Sequence, residues 1–296
     1  MTDLVIRPLV AGEKHLFDSL PDPGLVGRAA FGQTYADGTY RPEWTWVALR
    51  DGTVVARAAW WAGPDDPAPL ALDWFDFTDA EAAVELLRAA PLRAEYSISL
   101  PPGWRDAPAV RAQAQARIDA ATAAGMAVLV ERYRYRWTAD CGLPERPGRL
   151  EFRPEPDDTV ILDVLRRVGE GSLDAHFRHA AQRHGPQAAA QEDLDLLLWM
   201  PGPRDWWRLA YTADGHLAGI AVPSRNHTDP VVAFIGVLPE QRGHGYAYDL
   251  LAEATHLLVE AGADRIAAAT DQHNTPMAAT FARAGYPIEY ERVDLV

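Results

Sequence analysis

The sequence predicts an α/β protein made of two tandem copies of one module, and three observations carry that prediction. Strand-like and helix-like segments alternate along the chain. The two halves repeat each other's landmarks in the same order. At 296 residues the chain exceeds the usual single-domain size, so two domains of roughly 150 residues are expected.

The first copy opens with Leu4-Val5-Ile6-Arg7-Pro8, a strand closed by proline, and a weakly amphipathic stretch from Leu16 to Leu20. A loop rich in Gly and Pro follows. Trp44 to Leu49 and Thr53 to Trp61 flank Asp51-Gly52, the strongest short-range hairpin signal. Leu70 to Phe77 reads as a strand, Asp79 to Ala90 as a helix, Tyr96 to Leu100 as a strand, Pro108 to Ala124 as a long helix, and Met126 to Trp137 as a strand. From Ala139 to Arg149 the chain carries Gly142, Pro144, Pro147 and Gly148 with few apolar residues, the composition of a linker. The pattern then restarts. Leu150-Glu151-Phe152-Arg153-Pro154 repeats the Arg-Pro ending of the first strand. Trp206 to Tyr211, Asp214-Gly215 and Leu217 to Val222 repeat the hairpin, and Ala284-Gly285-Tyr286 leads to Glu291-Arg292 as Ala124-Gly125-Met126 leads to Glu131-Arg132. The expected boundaries are 1–139 for the first module, 140–149 for the linker and 150–296 for the second.

Composition excludes several classes. A formal charge of −14 disfavours nucleic acid as a partner, because phosphate-backbone binding needs a basic surface, and suits a cationic small molecule better. Basic and aromatic residues do alternate in Arg132-Tyr133-Arg134-Tyr135-Arg136-Trp137, but strand periodicity explains this more simply, with aromatics on one face and arginines on the other. No apolar run reaches the length of a membrane span and the N-terminus lacks a signal-peptide pattern, so a cytoplasmic protein without membrane attachment is expected. Cys141 is the only cysteine, which excludes an internal disulfide and a cysteine-rich zinc site. His176 and His179 stand one helical turn apart without a third ligand nearby in sequence, so no metal is expected.

One stretch carries chemistry. Val231 to Val237 is an apolar β-branched run, Pro239 ends it, and Gly243 and Gly245 punctuate a turn into a helix whose Ala247, Leu250, Leu251, Ala254, Leu257 and Leu258 share a face before Gly262. The two glycines let the backbone approach a ligand with several N–H groups converging at a helix start, an anion-binding arrangement. Two glycines without the third do not make the dinucleotide fingerprint, and the lysine of a Walker loop is absent.

Arg242-Gly243-His244-Gly245-Tyr246-Ala247, with Val237-Leu238-Pro239 before it, resembles the acyl-coenzyme A loop of the GNAT acyltransferase superfamily. The likeness extends over nearly the whole chain as two tandem GNAT-like modules, each implied to be a mixed, mostly antiparallel sheet flanked by helices. It implies an N-acetyltransferase that moves an acetyl group from acetyl-CoA to a primary amine of a small acceptor, and the acidic composition favours a cationic one. It also implies that the amides of Ile235 and Val237 hold the pantetheine and the acyl oxygen, and that the loop from Arg242 through Gly243, His244, Gly245, Tyr246 and Ala247 holds the pyrophosphate, with the backbone of His244 as its contribution. Asn274, Gly285 and Tyr286 match the family's segment after the next strand, Arg265 to Thr270. Thr275 as N-cap with Pro276 in the first turn would start the helix there.

Phe281 departs from the pattern, standing where many members have a tyrosine that protonates the departing thiolate. Tyr286, Tyr246 and Tyr248 are the substitutes nearest in sequence, and solvent is the alternative. The glutamate some members use as base would fall near Val231, so Asp229 and His227 become the candidates, beside water-mediated deprotonation. Two rival functions stand next to this one. A non-catalytic acyl-CoA sensor would fit the missing acid, and the mycothiol synthases, also tandem GNAT proteins, suggest acetylation of a cysteinyl pseudodisaccharide. In the first module the loop after Phe77 reads Thr78-Asp79-Ala80-Glu81, with no glycine, no arginine and two carboxylates, so a single coenzyme per chain is expected.

Overall fold

The computed structural model describes residues 3–21, 26, 39–63, 66–226 and 228–296. Most of the Gly- and Pro-rich loop after Leu20 lies outside them. In chain order the elements are β1 (Leu4–Pro8), α1 (Lys14–Asp18), β2 (Thr45–Arg50), β3 (Thr53–Trp61), β4 (Ala71–Phe77), α2 (Ala80–Ala89), β5 (Glu95–Leu100), α3 (Pro108–Ala123), β6 (Val128–Thr138) and β7 (Leu150–Pro154). There follow α4 (Asp158–Gly169), α5 (Ala175–His184), α6 (Pro186–Trp199), β8 (Arg208–Thr212), β9 (Leu217–Arg225), β10 (Pro230–Val237), α7 (Tyr246–Glu260), β11 (Arg265–Asp271), α8 (Thr275–Arg283) and β12 (Ile288–Leu295).

These elements form two compact units, and their division differs from the expected boundaries. One unit is Met1–Glu131 with Tyr290–Val296; the other is Arg132–Glu289. The first has strand order β1-β2-β3-β4-β5-β12 and the second β6-β11-β10-β9-β8-β7. Each is a mixed, mostly antiparallel sheet whose parallel pair is β4 with β5 or β10 with β11. The first repeat's last strand, β6, pairs with β11 from Arg265↔Thr138 to Asp271↔Arg132, while the C-terminal β12 pairs with β5 from Glu291↔Leu100 to Leu295↔Tyr96. Two repeats whose final strands carry the same pattern can exchange them without changing either sheet, the logic of a domain swap.

The segment expected as linker lies inside the second unit, packed along α7. Arg146 pairs with Glu253 (3.0 Å) and the His256 ring meets the Pro144 carbonyl (2.8 Å). Having delivered β6, the chain must cross to the far edge to begin β7, and α7 gives it a surface to follow.

The first unit's sheet is buried on both faces. Leu86 of α2 and Ala114 of α3 pack with Phe75, Ile98 and Leu100, and Phe17 of α1 packs with Val47 and Trp61 opposite. In the second unit, Ile161, Val164, Leu165 and Val168 of α4 recur at helical spacing and meet Ile220, Val222 and Trp207, with α5 and α6 completing that face. On the other face, Leu250, Leu251, Ala254 and Leu258 of α7 pack with Ala218, Ala221, Ile266 and Phe281. The alternation expected in β6 is present. Tyr133, Tyr135 and Trp137 join the α7 core, and Arg132 and Arg136 reach carboxylates instead.

Candidate active site

The site begins where two strands part. β10 and β11 run parallel with a pairing at Val231↔Ala267, after which β10 continues to Val237 and β11 to Asp271. A bulge at Ala233, between Val232↔Pro223 and Phe234↔Val222, bends β10 at the point of divergence. Beyond the bulge β10 keeps regular register with β9, and the Leu238 N–H donates to the Ala218 carbonyl at 3.0 Å. Backbone groups alternate along a strand, so the amides of Ile235 and Val237 point away from β9, into the widening gap.

The chain then crosses a short 3-10 turn, Pro239–Gln241, and enters α7 through Gly243 (φ +85°) and Gly245 (φ +75°). Both conformations are left-handed and exclude other residues at little more than an energetic tolerance of about 1–2 kcal/mol. Gly245 is the N-cap and has no side chain with which to cap, so the first N–H groups of α7, at Tyr246 and Ala247, are left to a ligand or to water. By contrast, Asp79 caps α2 in the first unit by accepting from the Ala82 N–H at 3.1 Å. An uncapped helix start beside a gap lined with backbone amides fits a pyrophosphate and the pantetheine arm attached to it.

Arg242 does not present its side chain to that site. Its guanidinium donates to the carbonyls of Val168 (2.7 Å), Glu170 (2.8 Å) and Gly171 (3.3 Å), and its Nε to Val237 (3.3 Å). Arg242 is thus the cation at the C-terminal end of α4, where the last carbonyls lack partners. A different arginine serves the loop. Arg149 donates to the carbonyls of His244 (2.9 Å) and Gly245 (3.2 Å), pairs with buried Asp249, and lies 5.2 Å over the Tyr246 ring. The His244 ring stacks on the other partner of that group, Tyr246, at 5.4 Å. Sequence reasoning missed Arg149 because it lies in the Gly- and Pro-rich segment read as linker.

After β11, Asn274 rather than Thr275 is the N-cap of α8, its side chain accepting from the Met277 N–H at 3.3 Å. The amide side chain of Asn274, one residue earlier, reaches that donor, and Thr275 and Pro276 become the first two helical residues. Phe281 is buried, stacked on Tyr135 at 4.2 Å and edge-on to Tyr286 at 5.4 Å.

The catalytic candidates separate from this arrangement. The Tyr286 hydroxyl is 2.7 Å from Thr255 Oγ1, inside the core, and burial raises its pKa above the ordinary phenol value. That geometry corrects its assignment as proton donor: the ring is core and the hydroxyl is committed. Tyr248 is also buried, beneath the Arg283 guanidinium at 4.0 Å. Asp229 sits before β10 begins, at the closed end of the gap, gripped by Arg136 (2.9 Å), Arg265 (2.7 Å) and Thr228 (3.0 Å). Burial pushes its carboxyl up, but those hydrogen bonds together outweigh burial and leave the pKa below the usual aspartate value. A stabilised carboxylate is a weak base, so Asp229 is an ion-pair anchor rather than the proton acceptor expected. His227 lies outside the described residues.

A second group of titratable side chains was not read from the sequence. Asp271 ends β11, four residues beyond the Val231↔Ala267 pair, on the far side of the gap from β10. It accepts the Ala175 N–H at the start of α5 (2.7 Å) and faces Arg132 Nε at 3.0 Å. Arg132 also approaches Asp174 (3.7 Å) and His176 Nδ1 (3.5 Å), so a guanidinium is the cation among these three potential ligands. Burial raises the Asp271 carboxyl; burial also pushes Asp193 of α6, near Asp174 and Glu192, up to about 7. Only the spacing of α5 from β11, a tertiary matter, brings these residues together.

The first unit has the same strand geometry and a different content. β4 and β5 pair at Ala71↔Glu95 and Leu72↔Tyr96, and β4 bulges at Asp73 as β10 does at Ala233. Two residues beyond the bulge, the Phe75 carbonyl accepts from Arg117 Nε (3.0 Å), and Arg117 Nη2 reaches Asp76 Oδ1 (2.7 Å). A buried arginine from α3 therefore lies against Phe75, the residue that corresponds to Ile235 in the second unit, and holds its carbonyl.

Residues 175–286 match the family model described as Acetyltransferase (GNAT) family. Comparison with curated proteins gives no match. Among solved structures, a GCN5-related N-acetyltransferase from Sphaerobacter thermophilus is similar over 99% of this chain and 94% of its own, at 15% identity and a TM-score of 0.55. A tandem GNAT protein from the clavulanic acid biosynthesis pathway is similar over 99% of this chain and 98% of its own, at 19% identity and a TM-score of 0.50. Both likenesses concern the fold, and both run through the two units. Residues 175–286, from α5 through the β10–α7 loop to α8, thus carry the likeness to an acetyltransferase domain of the GNAT family, a family whose co-substrate is acetyl-CoA.

Proposed function

We propose that the second unit transfers the acetyl group of acetyl-CoA directly to a primary amine of a small, cationic acceptor. The observation that carries the reading is the uncapped start of α7 beside the gap between β10 and β11. In this reading the N–H groups of Gly243 to Ala247 hold the pyrophosphate, the amides of Ile235 and Val237 hold the pantetheine and polarise the acyl carbonyl, and Asn274 borders the arm at the head of α8. With Tyr286 and Tyr248 buried in core contacts and the Tyr246 ring engaged by His244 and Arg149, water supplies the proton to the departing thiolate.

The formal charge of −14 favours a positively charged acceptor, while Asp271 and Asp174 on the α5 side of the gap already face Arg132. The test is release of free thiol from acetyl-CoA with a panel of polyamines, aminoglycosides and amino sugars. Turnover with a cationic amine that is lost in Gly245→Asp supports the reading. A second reading, a sensor that holds acyl-CoA without turnover, is favoured by Phe281 in place of a proton donor. Tight binding of acetyl-CoA without thiol release from any amine would establish it over the first. No helix among the described residues is long and apolar enough to cross a membrane.

A further inference from the structure

We propose that Arg149 is a positioning residue that aims the coenzyme loop without touching the coenzyme; the inference rests on the reading of that loop as the pyrophosphate site. A peptide unit is planar, and its carbonyl and the N–H that follows point in opposite directions. Arg149 holds two successive peptide planes by their oxygens, that of His244 through Nη1 and that of Gly245 through Nη2. The N–H groups of Gly245 and Tyr246 belong to those same two planes, so both are directed away from the guanidinium and toward the opposite side of the loop. Glycine is what makes this anchorage necessary. Gly243 and Gly245 give the loop its left-handed turns and also the widest choice of alternatives, and neither carries a side chain to hold it.

Arg149 is itself fixed. Its Nε reaches Asp249 Oδ1 at 3.2 Å, its Nη2 pairs with Asp249 Oδ2, and its plane lies over Tyr246. Asp249 is on the first turns of α7 with its side chain only 2% exposed, so the anchor is tied to the helix whose N-terminus it organises. The planar fork of arginine can satisfy two carbonyls and a carboxylate at once, which the single ammonium of a lysine cannot. An ammonium supplies the charge alone.

Arg149→Met keeps the stem over Tyr246 but leaves Asp249 unpaired, so Arg149→Met with Asp249→Asn is the companion variant, and Arg149→Lys tests charge against geometry. Calorimetry with coenzyme A and with pantetheine, which lacks the pyrophosphate, reads the effect. The expected result is a rise of about tenfold in the Kd for coenzyme A in all three variants, the loss of one charge-assisted set of contacts, with the Kd for pantetheine unchanged. Equal weakening of both ligands, no weakening of either, or full restoration by Arg149→Lys would overturn the assignment and leave the loop as the coenzyme site. A wild-type protein that binds pantetheine as tightly as coenzyme A would instead overturn the reading of the loop, and the assignment with it.

Discussion

Phe281 shows how a single position can be read correctly in sequence and still have its consequence decided by packing. Its identity removes a phenol from the usual place, and its burial between Tyr135 and Tyr286 makes it a core residue. Phe281→Ala is expected to lower unfolding stability by about 3–5 kcal/mol, the range for a fully buried aromatic, while the pH profile of turnover keeps its shape. Denaturant unfolding and a pH–rate profile check the two parts. Asp193 gives the opposite case, a residue without any sequence signal. Its carboxyl is pushed up to about 7 by burial first and by Asp174 and Glu192 second, with His176 opposing. Between the unfolded value and about 7 the folded state keeps a proton that the unfolded state has lost, so stability falls as pH rises through that window. Asp193→Asn removes the titration. Its Tm should match or slightly exceed wild type at pH 5 and exceed it by about 2–4 °C at pH 8, the response of a domain of this size to roughly 1 kcal/mol. An advantage that shrinks with rising pH would contradict that sign.

Among the elements, the ones legible in the sequence were those whose signals are local. The hairpin at Asp51-Gly52 forms with both turn residues at positive φ, and β10, the glycine turn and α7 fall where apolar runs and glycines place them. The helices α4, α5 and α6 carry the face of the second unit that bears Asp174, His176 and Asp193, and no motif within them announced that role. The exchange of β6 and β12 was equally hidden, because two strands with the same pattern are interchangeable by any local criterion. Arg242 was legible as part of a loop motif, but its side chain reaches α4, a contact that only the fold reveals. Arg242→Met is therefore expected to cost about 1–2 kcal/mol in stability by uncapping α4, with a smaller effect on coenzyme affinity. Gly243→Ala should cost a similar amount through its left-handed backbone, yet should weaken coenzyme binding as well. Thermal unfolding beside calorimetry separates the two variants.

At the scale of the whole molecule, duplication produced two sheets with one design and two fates. Both have a parallel pair that parts after a bulge, at Asp73 in one and Ala233 in the other. In the first unit Asp79 caps the following helix and Arg117 occupies the backbone of β4; in the second Gly245 leaves α7 uncapped and the Ile235 amide faces the gap. The central claim is that this difference confines the coenzyme to the second unit. Calorimetric titration of the full chain with coenzyme A tests it most directly, in the wild type and in Gly245→Asp, which adds a carboxylate at the start of α7. One coenzyme bound per chain in the wild type and none in the variant is the predicted result; two per chain, or undiminished tight binding in the variant, would contradict it.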